Sequence, residues 1–203
     1  SDYEALSYFT EFWPSDNTDP IERLFIQWGF SQVFPAKTMC AHVTTWNKNS
    51  SVKFRTDVAM MCKLGFDIKL ADMSKDDETY CRTAVQNYNR LKPVVLEGDM
   101  YRLVSPYGSN HTSTMYVGKD KDKAVVFAFD IHPRYAEKTL PVRLQGLDAD
   151  KMYRVKEINL MPGANSSLSG NGEVFSGEFL MNVGLNLFTT QQLNSRVIEV
   201  VAE

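Results

Sequence analysis

Phe12-Trp13-Pro14-Ser15-Asp16-Asn17-Thr18-Asp19-Pro20-Ile21-Glu22-Arg23-Leu24-Phe25-Ile26-Gln27 is the stretch from which the fold of this chain is read. A strand-like apolar lead-in over residues 9–13 runs into a polar knot, Ser15 to Asp19. A helix then begins. Asp19 is a favourable N-cap, and Pro20 sits at the first helical position, where its missing N–H costs nothing. Glu22 falls at the third helical position, so Asp19-x-x-Glu22 reads as a capping box. Ile21, Leu24, Phe25 and Trp28 recur at helical spacing and predict an apolar face.

A strand, a short acidic turn and a capped helix form one unit of an α/β barrel, in which functional groups sit where a strand ends and its loop begins. Asp16 stands at that place. Asp19 is sufficiently explained as the cap. Spacing alone leaves Asp16 open between a turn residue and a functional carboxylate, with Trp13 as an aromatic wall beside it.

This stretch resembles the signature of glycoside hydrolase family 36, the retaining α-galactosidases of bacterial type. The resemblance continues through Pro35-Ala36, Met39 and Ala41-His42-Val43, then Phe54-Arg55-Thr56-Asp57-Val58-Ala59-Met60-Met61 and Leu64-Gly65-Phe66-Asp67-Ile68. The tail from Asn182-Val183-Gly184-Leu185 to Val201 is similar to the family's closing β domain. The resemblance implies that Asp16, directly after Ser15, is the catalytic acid/base, with Trp13 a substrate-binding residue. The family's nucleophile lies in a Lys-Trp-Asp motif, which is absent from this sequence, as is the Cys- and Gly-rich motif ending in Gly-Arg. Pro14 is a local departure from the family. The expectation is therefore the C-terminal fragment of a longer enzyme, cut inside its barrel, that supplies the acid/base without the nucleophile and is inactive alone. Its partner would be an α-galactoside, bound in the full-length enzyme. A related α-galactosyl transglycosylase or α-N-acetylgalactosaminidase shares this frame. The alternative of another class is a non-catalytic carbohydrate-binding or vestigial module, with Trp46 or Tyr107 as sugar-stacking aromatics.

The 203 residues carry a net charge of −3, which gives no electrostatic case for nucleic acid. No run of 18 apolar residues predicts a membrane span. Ser1-Asp2-Tyr3-Glu4 has neither the basic start nor the apolar core of a signal peptide. A bacterial cytoplasm or periplasm both stay open for the parent enzyme, and the sequons at Asn49, Asn110 and Asn165 are read as chance. Cys40, Cys62 and Cys81 are spaced unlike zinc ligands and read as small buried hydrophobes. His42, His111 and His132 suggest no metal pair, and His42, near a barrel strand end, reads as structural or as a support to the site rather than catalytic. No cofactor and no metal are expected.

Helices are predicted over 20–30, 53–63 and from Ser74 to a stop at Pro93, with strands over 37–44 and 65–68. Trp46 to Ser51 reads as a polar loop. Asp67 is expected to hydrogen-bond within the barrel. From about residue 99 the apolar period changes from 3.6 to 2 and helix signals stop. Strands are predicted over 100–105, 112–118, 123–130, 139–145, 151–158, 173–181 and 196–202. The expected fold is thus α/β plus all-β. Residues 1–95 would be the C-terminal portion of a (β/α)8 barrel, and residues 96–203 an antiparallel β-sandwich. An opened barrel exposes strand edges and an inner face built for burial, which predicts a homo-oligomer.

Overall fold

The computed structural model describes residues 3–46 and 49–203. The expectations for Ser1-Asp2 and for loop positions Asn47 and Lys48 lie outside the described residues. The first half reads α1 (Pro20–Phe30), β1 (Cys40–Thr44), α2 (Val52–Ala59), β2 (Lys63–Asp67) and α3 (Lys75–Glu97). β1 and β2 are parallel, in register from Cys40 opposite Lys63 to Thr44 opposite Asp67. Phe12 lies parallel to Met39 on the other side of β1. Its N–H donates to Thr38 O at 2.8 Å and its carbonyl accepts from Cys40 N at 3.0 Å. Three parallel segments with α1 and α2 as crossovers form successive βαβ units.

Alternation gives this small sheet two different faces. Phe12, Ala41, Val43, Leu64 and Phe66 pack outward with Phe30, Phe34, Met39 and Cys62. The Phe12 ring sits 4.6 Å from Phe34 and 5.6 Å from Phe30. The opposite face carries Glu11, Trp13, Cys40, His42, Lys63, Gly65 and Asp67.

The helices differ from expectation in register and length. Asp19 does cap α1, accepting from Ile21 N at 2.9 Å and Glu22 N at 3.1 Å. The reciprocal half of the capping box is missing, because Asp19 N donates to Asn17 Oδ1 at 2.9 Å instead. The buried residues of α1 are Pro20, Arg23, Leu24 and Gln27, so the packed face is rotated from the apolar stripe. α2 ends at Ala59. The apolar run that follows turns into β2, and Lys63 N donates to Met39 O at 2.9 Å. α3 runs through Pro93 to Glu97. Pro93 gives up one hydrogen bond, and burial of Val94 and Val95 immediately after it holds the last turn in place.

The second half is one antiparallel sheet of six strands in the order β3-β4-β5-β8-β6-β7. The strands are β3 (Asp99–Val104), β4 (His111–Val117), β5 (Lys123–Asp130), β6 (Met152–Ile158), β7 (Val174–Ser176) and β8 (Asn194–Ala202). One face presents Tyr116, Val125, Phe127, Phe129 and Val197 to Phe54, Val58, Tyr80, Ala84 and Leu91 of α2 and α3. The other presents Met115, Val126, Ala128, Ile198 and Val200 to Val142, Leu144, Leu147, Leu168, Leu180, Leu185 and Leu187. β5 is buried almost throughout because both its faces are covered. Each large apolar side chain fully buried there contributes about 1.5–3 kcal/mol.

The two-sheet sandwich read from the alternation takes another form. Among the described residues, stretch 139–145 is no strand. Val142 N donates to Leu185 O at 2.8 Å and Leu144 N to Leu180 O at 2.9 Å. These extended segments and the short helix α4 (Gly177–Asn182) close the second face of the sheet. Stretch 173–181 is split between β7 and α4, so helix signals do not stop at residue 99. Ser176 caps α4, accepting from Phe179 N at 3.1 Å.

A buried carboxylate ties the halves together. Asp57 of α2 is fully buried. Its Oδ1 accepts from Tyr80 Oη at 2.8 Å and Asn159 Nδ2 at 3.0 Å. Its Oδ2 accepts from Lys53 Nζ at 2.6 Å and Ser195 Oγ at 2.7 Å. Every acceptor position that burial removes from water is thereby filled.

Candidate active site

Trp13 and Asp16 follow the parallel segment at Phe12, at the carboxyl end of the small sheet. Trp13 keeps 47% of its surface exposed and Asp16 is exposed. The loop that carries Asp16 is held from both sides. Ser15 O accepts from Arg23 Nη1 at 3.1 Å, and Ser15 Oγ accepts from Asn17 N at 3.1 Å. Thr18 Oγ1 lies 3.0 Å from Thr44 Oγ1 and accepts from Trp46 Nε1 at 3.0 Å. Arg23 itself is only 3% exposed. Its Nη2 donates to Cys40 O at 2.9 Å and its Nε to Gln27 Oε1 at 3.4 Å. One planar guanidinium thus joins the loop, α1 and β1. Burial lowers its pKa from the ordinary value.

His42 projects from β1 on the same face. Its ring centroid lies 4.1 Å from that of Trp13, tilted by 42°. Gly65 stands opposite it on β2, where a Cβ would come within 3.5 Å of His42 Cβ. Burial pushes the His42 imidazole below its ordinary value and Arg23 adds to this, while Asp67 and Asp16 oppose it. Asp67, at the end of β2, is exposed, and its side chain makes no hydrogen bond among the described residues. Trp13, His42 and Asp67 thus line one open face, and Asp16 follows Trp13 on the loop beside it.

The sequence reading did not single out Arg23, and it gave His42 a structural or supporting role and Asp67 a hydrogen-bonding one. A signal was present: Arg23 and Gln27 stand one turn apart, flanking Leu24, on a helix face that has to be buried. A buried charge there must meet partners, and its partners are the site's carbonyls. Trp46 is used as a hydrogen-bond donor to the site loop, while Tyr107 stacks edge-on against Phe25 at 5.2 Å. Cys62 is buried and its thiol is pushed up to about 12 by that burial. Burial likewise raises half-buried Cys81 to about 11. Among the described residues no three or more His, Cys, Asp and Glu stand close enough to hold a metal ion. Among the described residues no helix is long and apolar enough to cross a membrane.

The Melibiase family model matches residues 1–98, and the glycosyl hydrolase family 36 C-terminal domain matches residues 111–200. Alpha-galactosidase 2 of Hypocrea jecorina is 34% identical over 200 residues, which are 96% of this chain and 25% of that protein. The GH36 α-galactosidase AgaB from Geobacillus stearothermophilus superposes with a TM-score of 0.85 at 28% identity, over 98% of this chain and 26% of that one. A variant of AgaA from the same organism, solved in complex with stachyose, does so with a TM-score of 0.85 at 29% identity, again over 98% and 26%. The fold and these matches thus define part of a glycoside hydrolase. The chain belongs to glycoside hydrolase family 36, and it spans about a quarter of the length of the relatives it matches. Those relatives are fungal as well as bacterial, so the expected bacterial type is not singled out.

Proposed function

We propose that this chain supplies the acid/base half of a retaining α-galactosidase site, with Asp16 as the general acid/base and Trp13 as a wall of the sugar-binding cleft. Residues 1–95 are read as the closing part of the catalytic (β/α)8 barrel, and residues 96–203 as the β domain that packs behind it. The substrate class is a terminal α-galactosyl residue of an oligosaccharide, the kind of molecule carried by the stachyose complex of the AgaA variant.

The observation that carries this reading is the exposed Asp16 carboxylate on a loop pinned by Arg23, within the Phe12 to Gln27 signature. In a retaining reaction one carboxylate attacks the anomeric carbon, and a carboxyl about 5–5.5 Å away protonates the leaving oxygen. The second group then deprotonates the incoming water. Asp16 takes this second role and must carry a proton when substrate arrives. A nucleophile carboxylate beside it would raise its proton affinity. The 203 residues contain no Lys-Trp-Asp, so the chain alone leaves the first role unfilled. The polar face around His42 would be covered either by the remaining barrel strands or by association with another copy.

The reading is tested in two assays. The isolated chain is expected to release no product from an aryl α-galactoside, and turnover by it would overturn the acid/base-only assignment. Residues 1–203 grafted in place of the matching quarter of AgaB are expected to hydrolyse the same substrate. Asp16→Asn in that chimera should then lose about 10²–10⁴-fold in rate, the usual contribution of a general acid. An unaffected Asp16→Asn chimera would remove Asp16 from the mechanism.

A further inference from the structure

His111, the first residue of β4, stands opposite Asp130, the last of β5. Its Nδ1–H donates to Asp130 Oδ1 at 2.8 Å. The other contacts of that carboxylate are donors too: Thr189 N at 3.1 Å, Thr189 Oγ1 at 2.6 Å and Asn194 Nδ2 at 3.0 Å. Asp130 therefore acts only as an acceptor, and the hydrogen of the contact sits on Nδ1. In the neutral ring that leaves Nε2 with a free lone pair. His111 is only 3% exposed, yet Nε2 makes no hydrogen bond among the described residues. Glu137 Oε1 lies 3.7 Å from it, beyond hydrogen-bond reach. The Glu137 carboxylate is held in place by Arg134 N at 2.8 Å and Asn110 Nδ2 at 3.1 Å. Two fixed acceptors thus stand side by side with no donor between them. A buried acceptor left so is costly, and the arrangement calls for a donor from outside.

Both acceptors open onto one cleft of about 730 Å³, between the end of β3 and segments 137–145 and 183–188. It shares no lining residue with the face around Trp13 and His42. Leu103, Val104, Val142 and Phe188 make an apolar wall, and the Phe188 ring lies 4.6 Å from that of His111. Lys138 and Arg143 stand at the exposed rim as donors. We propose that this cleft is a second carbohydrate site, in which adjacent hydroxyls of one sugar ring donate to His111 Nε2 and Glu137 while its C–H face lies on the apolar wall. The floor accepts hydrogen bonds and repels anions. The rim donates them and repels cations. A hydroxyl both donates and accepts, so a neutral polyhydroxylated ring satisfies both, whereas an ion of either sign meets a like charge. An apolar lining with a few fixed polar groups is the common make-up of a small-molecule site. The site lies among the strands of the second half, and it does not depend on the role proposed for Asp16.

The test is a titration of the 203-residue chain with stachyose, followed by NMR at the histidine Cε1–Hε1 signals. The chain has three histidines, so each reports its own place. The His111 signal should shift and saturate. His132, outside the cleft lining, should stay unchanged. His42 reports sugar on the Trp13 face separately. Glu137→Gln removes the charged acceptor and should weaken binding by about tenfold or more, the usual loss when a hydrogen bond to a charged group goes. That variant also changes the partner of Arg134 and Asn110. Val183→Arg leaves all those bonds in place and lays a long side chain over the cleft mouth, where Val183 is half exposed. It should abolish the His111 shift. A wild-type His111 signal that ignores stachyose overturns the proposal. So does unchanged affinity in Glu137→Gln, or Val183→Arg binding as the wild type does. A His111 shift with methylammonium chloride and none with stachyose would make the two acceptors a cation seat and overturn the sugar assignment.

Discussion

Arg23 Nη1 donates to the carbonyl oxygen of Ser15 at 3.1 Å, one residue before Asp16, while Nη2 of the same guanidinium holds Cys40 O of β1 at 2.9 Å. A single side chain thus fixes the distance between the Asp16 loop and the sheet that carries His42. Arg23→Met should leave both carbonyls without that donor and cost about 2–6 kcal/mol, since each buried acceptor left unpaired costs about 1–3 kcal/mol. Urea unfolding of the isolated chain measures this. In the AgaB chimera the same substitution should lower turnover with substrate binding little changed. A midpoint equal to the wild type would show that the loop needs no such anchor.

Asp57 gives the largest expected loss of stability. It is fully buried and accepts four hydrogen bonds, from Lys53, Tyr80, Asn159 and Ser195. Asp57→Ala leaves Lys53 without its 2.6 Å partner, and breaking such a pair costs about 3–5 kcal/mol. Ser195→Ala removes one bond of the four and should cost about 1 kcal/mol. Chemical denaturation of the two variants side by side checks the ratio.

Tyrosine burial predicts how stability ends at high pH. Desolvation raises Tyr80 well above its ordinary value of 10, with the neighbouring Asp57 charge adding to it. Burial does the same for Tyr116. Above pH 10 the unfolded chain therefore releases protons that the folded chain keeps, so the unfolded state gains and stability falls as pH rises. Tyrosinate absorbance should appear for these residues only together with loss of far-ultraviolet dichroism. A folded chain showing all its tyrosines ionised would contradict the burial.

Pro93 sits inside α3, where the sequence pattern predicts the helix to stop. Pro93→Ala restores one backbone N–H donor to the last turns. It also loosens the unfolded chain, which opposes the gain by about 0.4–1 kcal/mol. The net expectation is a stabilisation of about 1 kcal/mol or more, because interior proline costs about 3 kcal/mol. Thermal unfolding with an unchanged or lower midpoint would mean that the helix is already accommodated at the proline.

What could be read in advance was local. The Asp19 cap, the α1–β1–α2–β2 order and most strands of the second half follow from capping residues and apolar period. The packed face of α1 did not, because Arg23 and Gln27 are polar by type and buried by their partners. The helix end at Pro93 failed because burial of Val94 and Val95 outweighs one missing hydrogen bond. The second sheet failed because alternation reports an extended segment, not what it pairs with. Val142 and Leu144 alternate inward as a strand would, yet bond to Leu185 and to a helix carbonyl. The role proposed for Asp16 rests on its position and the family signature, whereas Trp13–His42 stacking needs the register of two segments and so lies beyond any one of them.

β8 lies between β5 and β6, although residues 194–202 are synthesised after every other strand of that sheet. Without β8 the sheet falls into two unjoined pieces, β3-β4-β5 and β6-β7, each with a raw edge. β5 and β6 each keep a row of unpaired backbone groups until that last segment pairs with both. A chain lacking residues 194–202 would leave the edges of β5 and β6 open to wrong pairing.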